Sequence, residues 1–375
     1  MRILIFGAGA SIPASYPAAD ALIPTIGEFV EEYSDSTLKQ YWNRWDSWRR
    51  NNKSLKRIVF NPNPEVVLSL ADLYETATKA ADEAAMHTAL EKWRSGKLSK
   101  AALRAYEKQW KDEGRKRLLE GRLARIGFIE CLQRYFFYCH HRDARDRGPR
   151  DYLRRHFAHL SHGDVIITLN WDTASERTLG EEGYWNPMTG YGFRKDLKMM
   201  PNGEPLPDMN IDSRVIVLKI HGSVGWHSSA SGGIYFDNPR FLSEFGFHHD
   251  GSPLYLMDPE APVGRPARDP ILLYPSYLKQ LAGGTMQQIW HDAAEALRKA
   301  ERVDVYGYSL PESDLAVRTL FNVLRFRAEA NSLRVLVHDP GKLSQERWRT
   351  FLGEKALGAR AAADGRRIEE APPAD

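Results

Sequence analysis

Five short apolar runs constrain this chain more than any other feature. Ile3–Phe6, Val165–Leu169, Val215–Ile220, Asp304–Tyr306 and Arg334–His338 are built on Val, Ile, Leu and aromatic residues, and each gives out onto a glycine or polar turn. A strand wetted on one face alternates apolar and polar residues, whereas a strand covered on both faces does not. Runs of the second kind, separated by long helical stretches, predict an α/β fold: a Rossmann-like, doubly wound, mostly parallel sheet with helices on both faces.

Between the first two runs lies a long gap that reads mostly as helix. Glu65–Ala85 places Val66, Leu70, Leu73 and Ala77 at helical spacing, and Ser99–Cys139 continues with Leu103, Ile126, Ile129, Leu132 and Phe136. With 375 residues in all, one large elaborated domain or two smaller ones fit the length. We expect a sheet domain over residues 1–356 carrying a helical insertion over 28–150, rather than an independent helical domain. The Ala-, Gly-, Arg- and Pro-rich stretch 357–375 is expected to be a disordered tail. Gly180–Arg214 and Ser228–Asp269, rich in Gly, Pro and aromatics, are expected as long loops or short hairpins above the sheet.

Charge and cysteine content narrow the function classes. The formal net charge is +3, too small to argue for direct nucleic-acid binding. The surplus is local, because residues 90–150 carry 17 Lys/Arg against 8 Asp/Glu. That stretch reads either as a solvated helical face or as a docking surface. No apolar run approaches the roughly 18 residues of a membrane span. Met1 leads into too short a run for a signal peptide, so a cytoplasmic protein is expected. Two cysteines, Cys131 and Cys139, permit neither a disulfide framework nor a four-cysteine zinc site. They precede His140 and His141, but buried thiols are the simpler reading, and no metal is expected.

Each strand exit carries polar or glycine residues with chemical potential. Gly7-Ala8-Gly9-Ala10-Ser11 follows the first run, where glycines let main chain approach a phosphate closely. Thr168-Leu169-Asn170-Trp171-Asp172 ends the second; an Asn amide there both donates to and accepts from a ribose. Lys219-Ile220-His221-Gly222-Ser223 ends the third, and His suits proton transfer near neutral pH. Gly307-Tyr308-Ser309-Leu310 follows the fourth, with Ser313 and Asp314 just beyond. His338-Asp339-Pro340 closes the fifth, where Asp339 could meet a ribose. Taken singly, each motif has an ordinary reading as a strand-to-turn exit.

In this order the motifs resemble the sirtuin superfamily, over most of the chain outside the helical insertion. The resemblance implies NAD as substrate. It implies Gly7, Ala8, Gly9, Ala10 and Ser11 at the pyrophosphate, and Thr168 and Asn170 beside the nicotinamide ribose. It further implies Asp172 on the nicotinamide amide, His221 as catalytic base, and Gly307 and Ser309 on phosphate or ribose, beside which Asp339 is expected at an adenine ribose. Pro13-Ala14-Ser15 stands where deacylating sirtuins carry Asp-Phe-Arg, and two cysteines cannot form their zinc ribbon. The chain therefore resembles the sirtuin-like NAD-consuming proteins of bacterial anti-phage defence. Its expected activity is NAD glycohydrolase, with Asn170, His221 and Asp172 catalytic. A protein deacylase and a non-catalytic NAD or ADP-ribose sensor are the alternatives. The resemblance also implies homo-oligomers or a partner such as a HerA-type ATPase or a short Argonaute.

Overall fold

The computed structural model describes residues 1–14, 16–18, 21–33, 35–51, 68, 83–109, 115–145, 150–185, 187–192, 213–228, 234–236, 270–273, 283–359 and 361–371. These residues form two compact units, residues 1–18 with 134–375, and residues 19–133.

Among its described residues the first unit holds nine strands in chain order: β1 (Arg2–Phe6), β2 (Val165–Thr168), β3 (Ile216–Lys219), β4 (Gly222–Ser228), β5 (Ile234–Phe236), β6 (Pro270–Leu272), β7 (Arg302–Tyr306), β8 (Arg334–His338) and β9 (Ala361–Asp364). Six of them make one sheet in the order β3-β2-β1-β7-β8-β9, and every pairing in it is parallel. All five apolar runs are strands of this sheet. Ile3, Ile5, Ile166, Ile167, Val303, Val305 and Val335 are completely buried, which is why their runs do not alternate. Each such side chain contributes about 1.5–3 kcal/mol on burial. The chain enters at the central β1, builds outward to β3, then returns to lay β7, β8 and β9 on the other side of β1. The topological switch point therefore falls between the C-terminal ends of β1 and β7, where open α/β sheets take ligands.

The sixth strand corrects the reading of the tail. Residues 361–364 extend the sheet as β9, in register from Val335↔Ala361 to His338↔Asp364. Ile368 and Ala371 are buried beyond it, and His156 Nε2 lies 2.9 Å from the Ile368 carbonyl. An Ala-Ala-Ala-Asp edge strand is held by main-chain hydrogen bonds and carries no β-branched signal, so composition alone misreads it. β4, β5 and β6 form a separate antiparallel sheet in the order β5-β4-β6; these are short hairpins in the region 222–272. Residues 193–212 and most of 228–269 lie outside the described residues.

An ion cluster fastens residue 150 and its helix to this unit. Arg150, 1% exposed, forms a forked pair with Glu181 at 3.0 and 3.1 Å. Arg154 and Arg177 reach the same carboxylate at 2.9 and 3.0 Å. Burial alone would raise Glu181, but the hydrogen bonds and charges of the three arginines outweigh it and bring its pKa down from 4.5 to about 2. A depressed carboxylate stabilises the fold fully above its unfolded pKa, and the stabilisation is lost as pH falls toward the folded value. Glu181→Gln is therefore expected to cost about 2 kcal/mol at pH 7, allowing for solvent screening. The gap to wild type should close between pH 4.5 and about 2. Denaturant titrations at several pH values check this; a pH-independent gap would assign the loss to packing instead.

The second unit is helical where described, with Leu22–Glu32, Ser36–Asn51, residues 83–94, Lys100–Gln109 and the first part of Arg115–Arg145. The boundary with the first unit falls inside that last helix. The insertion expected over 28–150 is thus, as a compact unit, residues 19–133. Its core is an antiparallel helix pair. Cys131 Sγ lies 3.7 Å from the Leu38 carbonyl, and the Trp45 and Phe128 ring centroids are 4.6 Å apart. A Cβ on Gly127 would sit 2.7 Å from the Tyr41 carbonyl oxygen, so the helices meet there main chain to main chain. Cys131 and Cys139 are both fully buried. Trp93 and Tyr106 are 39% and 37% exposed, whereas Trp45 is wholly enclosed. The aromatics of this stretch thus divide between core and surface. Of the helix expected over Glu65–Ala85, only Leu68 and residues 83–85 are among the described residues. Among those residues, no helix is long and apolar enough to cross a membrane.

Candidate functional site

The switch point is built first by glycine. After β1 the chain turns through a 3₁₀ segment, Ala8–Ala14. Gly7 N–H donates to the Tyr306 carbonyl at 3.0 Å, and Gly9 N–H to the Gly307 carbonyl at 2.9 Å. A Cβ on Gly7 would lie 2.6 Å from Gly307 O, and one on Gly9 would lie 2.9 Å from Gly307 Cα. Gly307, at φ +60, would bring a Cβ to 2.3 Å from Ala10 N. The three glycines therefore interlock the turns after β1 and β7. The amides of Gly7, Gly9 and Ala10 are engaged inside the protein, so their hydrogen bonding gives no support to the phosphate-holding role expected of them. The Tyr152 hydroxyl donates to Ala10 O at 2.6 Å and pins the turn.

Against this turn stands the exit of β2. Asn170 Nδ2 donates to Gly7 O at 3.0 Å and to Ser11 Oγ at 2.9 Å. A carbonyl oxygen only accepts, so the amide nitrogen must face it. Asn170 N–H donates to Thr168 Oγ1 at 3.1 Å, which fixes the backbone at the strand end. The Ser11 hydroxyl also meets the Asp172 carboxyl. Asp172 accepts the Ala174 N–H at 3.0 Å, opening helix Ala174–Glu181. Burial raises the Asp172 pKa, and the Lys219 charge only partly offsets it. Asn170 Oδ1 is buried and has no hydrogen-bond partner among the described residues. A buried acceptor left unmade costs about 1–3 kcal/mol, and a ligand hydroxyl would satisfy this one.

His221 comes to the same place from the far side of the sheet. β2 and β1 lie between β3 and β7, so those strands are three spacings, roughly 14 Å, apart. Yet His221 Nε2 lies 3.1 Å from Asp314 Oδ2, with the two residues 1% and 0% exposed. The chain between β7 and helix Leu315–Glu329 therefore arches back across the ends of β1 and β2. The Tyr308 hydroxyl donates to Asp314 Oδ2 at 3.0 Å, and the Val317 N–H to Oδ1 at 3.4 Å. Trp348 Nε1 holds the Tyr308 carbonyl at 2.6 Å, and Arg318 holds that of Leu310 at 3.2 Å. Leu310 adopts φ +47, a left-handed conformation that an L side chain takes only where its surroundings impose it. Gly222, directly after His221, takes φ +78 and turns β3 into β4.

Two roles escaped the sequence reading. The pairing of Asp314, named there only as lying beyond the Gly-Tyr-Ser-Leu motif, is one. The other is the pairing of the wholly buried Lys219, whose ammonium bonds the Asp172 carbonyl at 2.5 Å and Glu176 Oε1 at 2.8 Å. The Tyr191 hydroxyl donates to the same Glu176 oxygen at 3.1 Å, and burial, with the Glu176 charge, pushes the Tyr191 pKa well up. The available signal was a lysine at the end of a buried strand and a glutamate in the helix after β2. Of the remaining expected residues, Ser309 is exposed. Asp339 accepts the Gly341 N–H at 2.8 Å in a turn ahead of helix Lys342–Ala359, and burial raises its pKa. Asp339 thus has a structural role of its own, as an ordinary strand exit would. No protein-family model and no curated protein matches the chain.

Proposed function

We propose that this chain is an NAD glycohydrolase, cleaving NAD to nicotinamide and ADP-ribose. The observation that carries the reading is convergence. Asn170, with an unsatisfied buried carbonyl, stands with Ser11 and Asp172 at the ends of β1 and β2. His221 and Asp314, on the exits of β3 and β7 to either side of those strands, meet at 3.1 Å. An amide that can both donate and accept, a base and a carboxyl at a switch point suit ribose chemistry.

The reaction asks little covalent work of the protein. The bond from C1′ of the ribose to the nicotinamide nitrogen breaks through an oxocarbenium-like state. Its electron pair passes to the cationic nitrogen and neutralises it. Water oxygen bonds C1′, and the water proton goes to His221 and then to solvent. Asn170 positions the ribose hydroxyls or the water, which contributes mainly at the transition state. Asp172, at the same strand end, can hold the nicotinamide amide by accepting its N–H. Metal ligands are not part of this scheme.

A base at 1% exposure also suits a regulated enzyme, because a buried site can be withheld from substrate. Such control fits cytoplasmic anti-phage defence, with activation through self-assembly or a partner such as a HerA-type ATPase or a short Argonaute. Deacylation is less favoured, since two cysteines cannot build the zinc module beside which an acyl-lysine peptide adds. Pure sensing is less favoured because it needs no base.

The test is direct. The purified protein, alone and with the product of the neighbouring gene, is incubated with NAD and the products are separated by chromatography and mass spectrometry. Equimolar nicotinamide and ADP-ribose are expected. NAD left intact in every assembly, or turnover only with an acylated peptide, would overturn the proposal.

A further inference from the structure

We infer that Asp314 is a positioning residue for His221, holding the imidazole in its Nε2–H tautomer so that the basic lone pair lies on Nδ1. The catalytic consequence rests on the glycohydrolase reading; the tautomer does not.

The inference starts from a cost. Asp314 is completely buried, and a carboxylate is expensive to bury unless donors surround it. Capping helix Leu315–Glu329 through the Val317 N–H explains an acceptor at this position but not a charge, since Asn, Ser or Thr would cap as well. What calls for the carboxylate is its other oxygen, which takes both His221 Nε2 at 3.1 Å and the Tyr308 hydroxyl at 3.0 Å. An ionised carboxylate accepts and never donates, so the ring nitrogen facing it carries the hydrogen. A neutral imidazole has one N–H, and Nδ1 is then the site that takes a proton. Tyr308 and the Val317 N–H hold the carboxylate while it holds the ring. The pair also spans three strand spacings, so the orientation of His221 is set from across the crevice rather than by its own strand.

A plain structural tie between the exits of β3 and β7 would use the same contact, and Asp314→Asn separates the two roles. Asparagine keeps the cap, but its amide donates to Nε2 and favours the Nδ1–H tautomer, removing the base without removing the tie. Ring-nitrogen NMR of ¹⁵N-histidine protein at pH 8 reads the tautomer directly, with His221→Ala identifying the signal among 12 histidines. Wild type is expected to report hydrogen on Nε2 alone, and Asp314→Asn hydrogen on Nδ1. NAD cleavage by the folded variant should fall about 10²-fold or more in kcat, with KM changed less than about threefold. Hydrogen on Nδ1 in the wild-type ring, alone or together with Nε2, overturns the inference even if the variant does not fold. A folded Asp314→Asn protein with the wild-type tautomer or undiminished kcat does so as well. If wild type leaves NAD intact, the glycohydrolase reading falls, and the tautomer is still decided by the spectrum.

Discussion

On the glycohydrolase reading, His221→Ala is expected to lose NAD cleavage by about 10²–10⁴-fold in kcat, the usual contribution of a general base, with a lowered thermal midpoint because the ring is buried against Asp314. The substitution removes a ring that touches Asp314 and leaves the strand core of β3 intact. Asp314 keeps the Tyr308 hydroxyl and the Val317 N–H, so the variant is expected to fold, and rates are compared on folded protein. Asn170→Ala is expected to lose turnover comparably, with a smaller loss in NAD affinity, because positioning of the ribose is realised mostly at the transition state. It also removes the donor to Gly7 O and Ser11 Oγ, so its stability should be measured beside its rate. Steady-state kinetics on folded variants settle both assignments. A folded His221→Ala protein with full turnover would remove His221 from the chemistry. An Asn170→Ala protein with unchanged kcat would reduce Asn170 to a binding residue.

What could be read in advance followed from burial. Ile3–Phe6 and Val165–Thr168 are strands because a two-face-buried β-strand has no other way to look in sequence. Their exits then had to lie at the C-terminal edge of the sheet, where open α/β sheets take ligands, so Asn170 and His221 could be assigned to that edge from sequence. Ala361–Asp364 was illegible because its pairing is through main chain alone. The structural roles of Gly7, Gly9 and Gly307 were illegible for a related reason. A glycine shows that something comes close or that φ is positive, but not whether the neighbour is a ligand or, as here, the turn after another strand. The pairings of Asp314 and Glu176 were missed because their partners His221 and Lys219 are 93 and 43 positions away in sequence. No local spacing rule reaches that far.

Lys219 gives the largest effect expected on stability. Its ammonium is wholly enclosed and bonds Glu176 at 2.8 Å, with Glu176 itself 1% exposed. Lys219→Met keeps most of the side chain's length and apolar stem but strands a carboxylate in the interior. Removing one partner of a buried pair typically costs about 3–5 kcal/mol, a large share of the 5–15 kcal/mol by which a domain is ordinarily stable. The Asp172 carbonyl loses its donor in the same step. That carbonyl belongs to the residue whose carboxyl meets Ser11, so Lys219→Met should also lower NAD turnover in whatever fraction folds. Adding Glu176→Gln removes the stranded charge and leaves an acceptor for the Tyr191 hydroxyl, which now bonds Glu176 at 3.1 Å. The double variant is therefore expected to regain most of the lost stability without regaining full activity. Denaturant unfolding of the two single variants and the double one measures the coupling. A Lys219→Met protein within about 1 kcal/mol of wild type would mean that the pair contributes little. A double variant no better than the single one would place the loss in the Asp172 carbonyl and not in the ion pair.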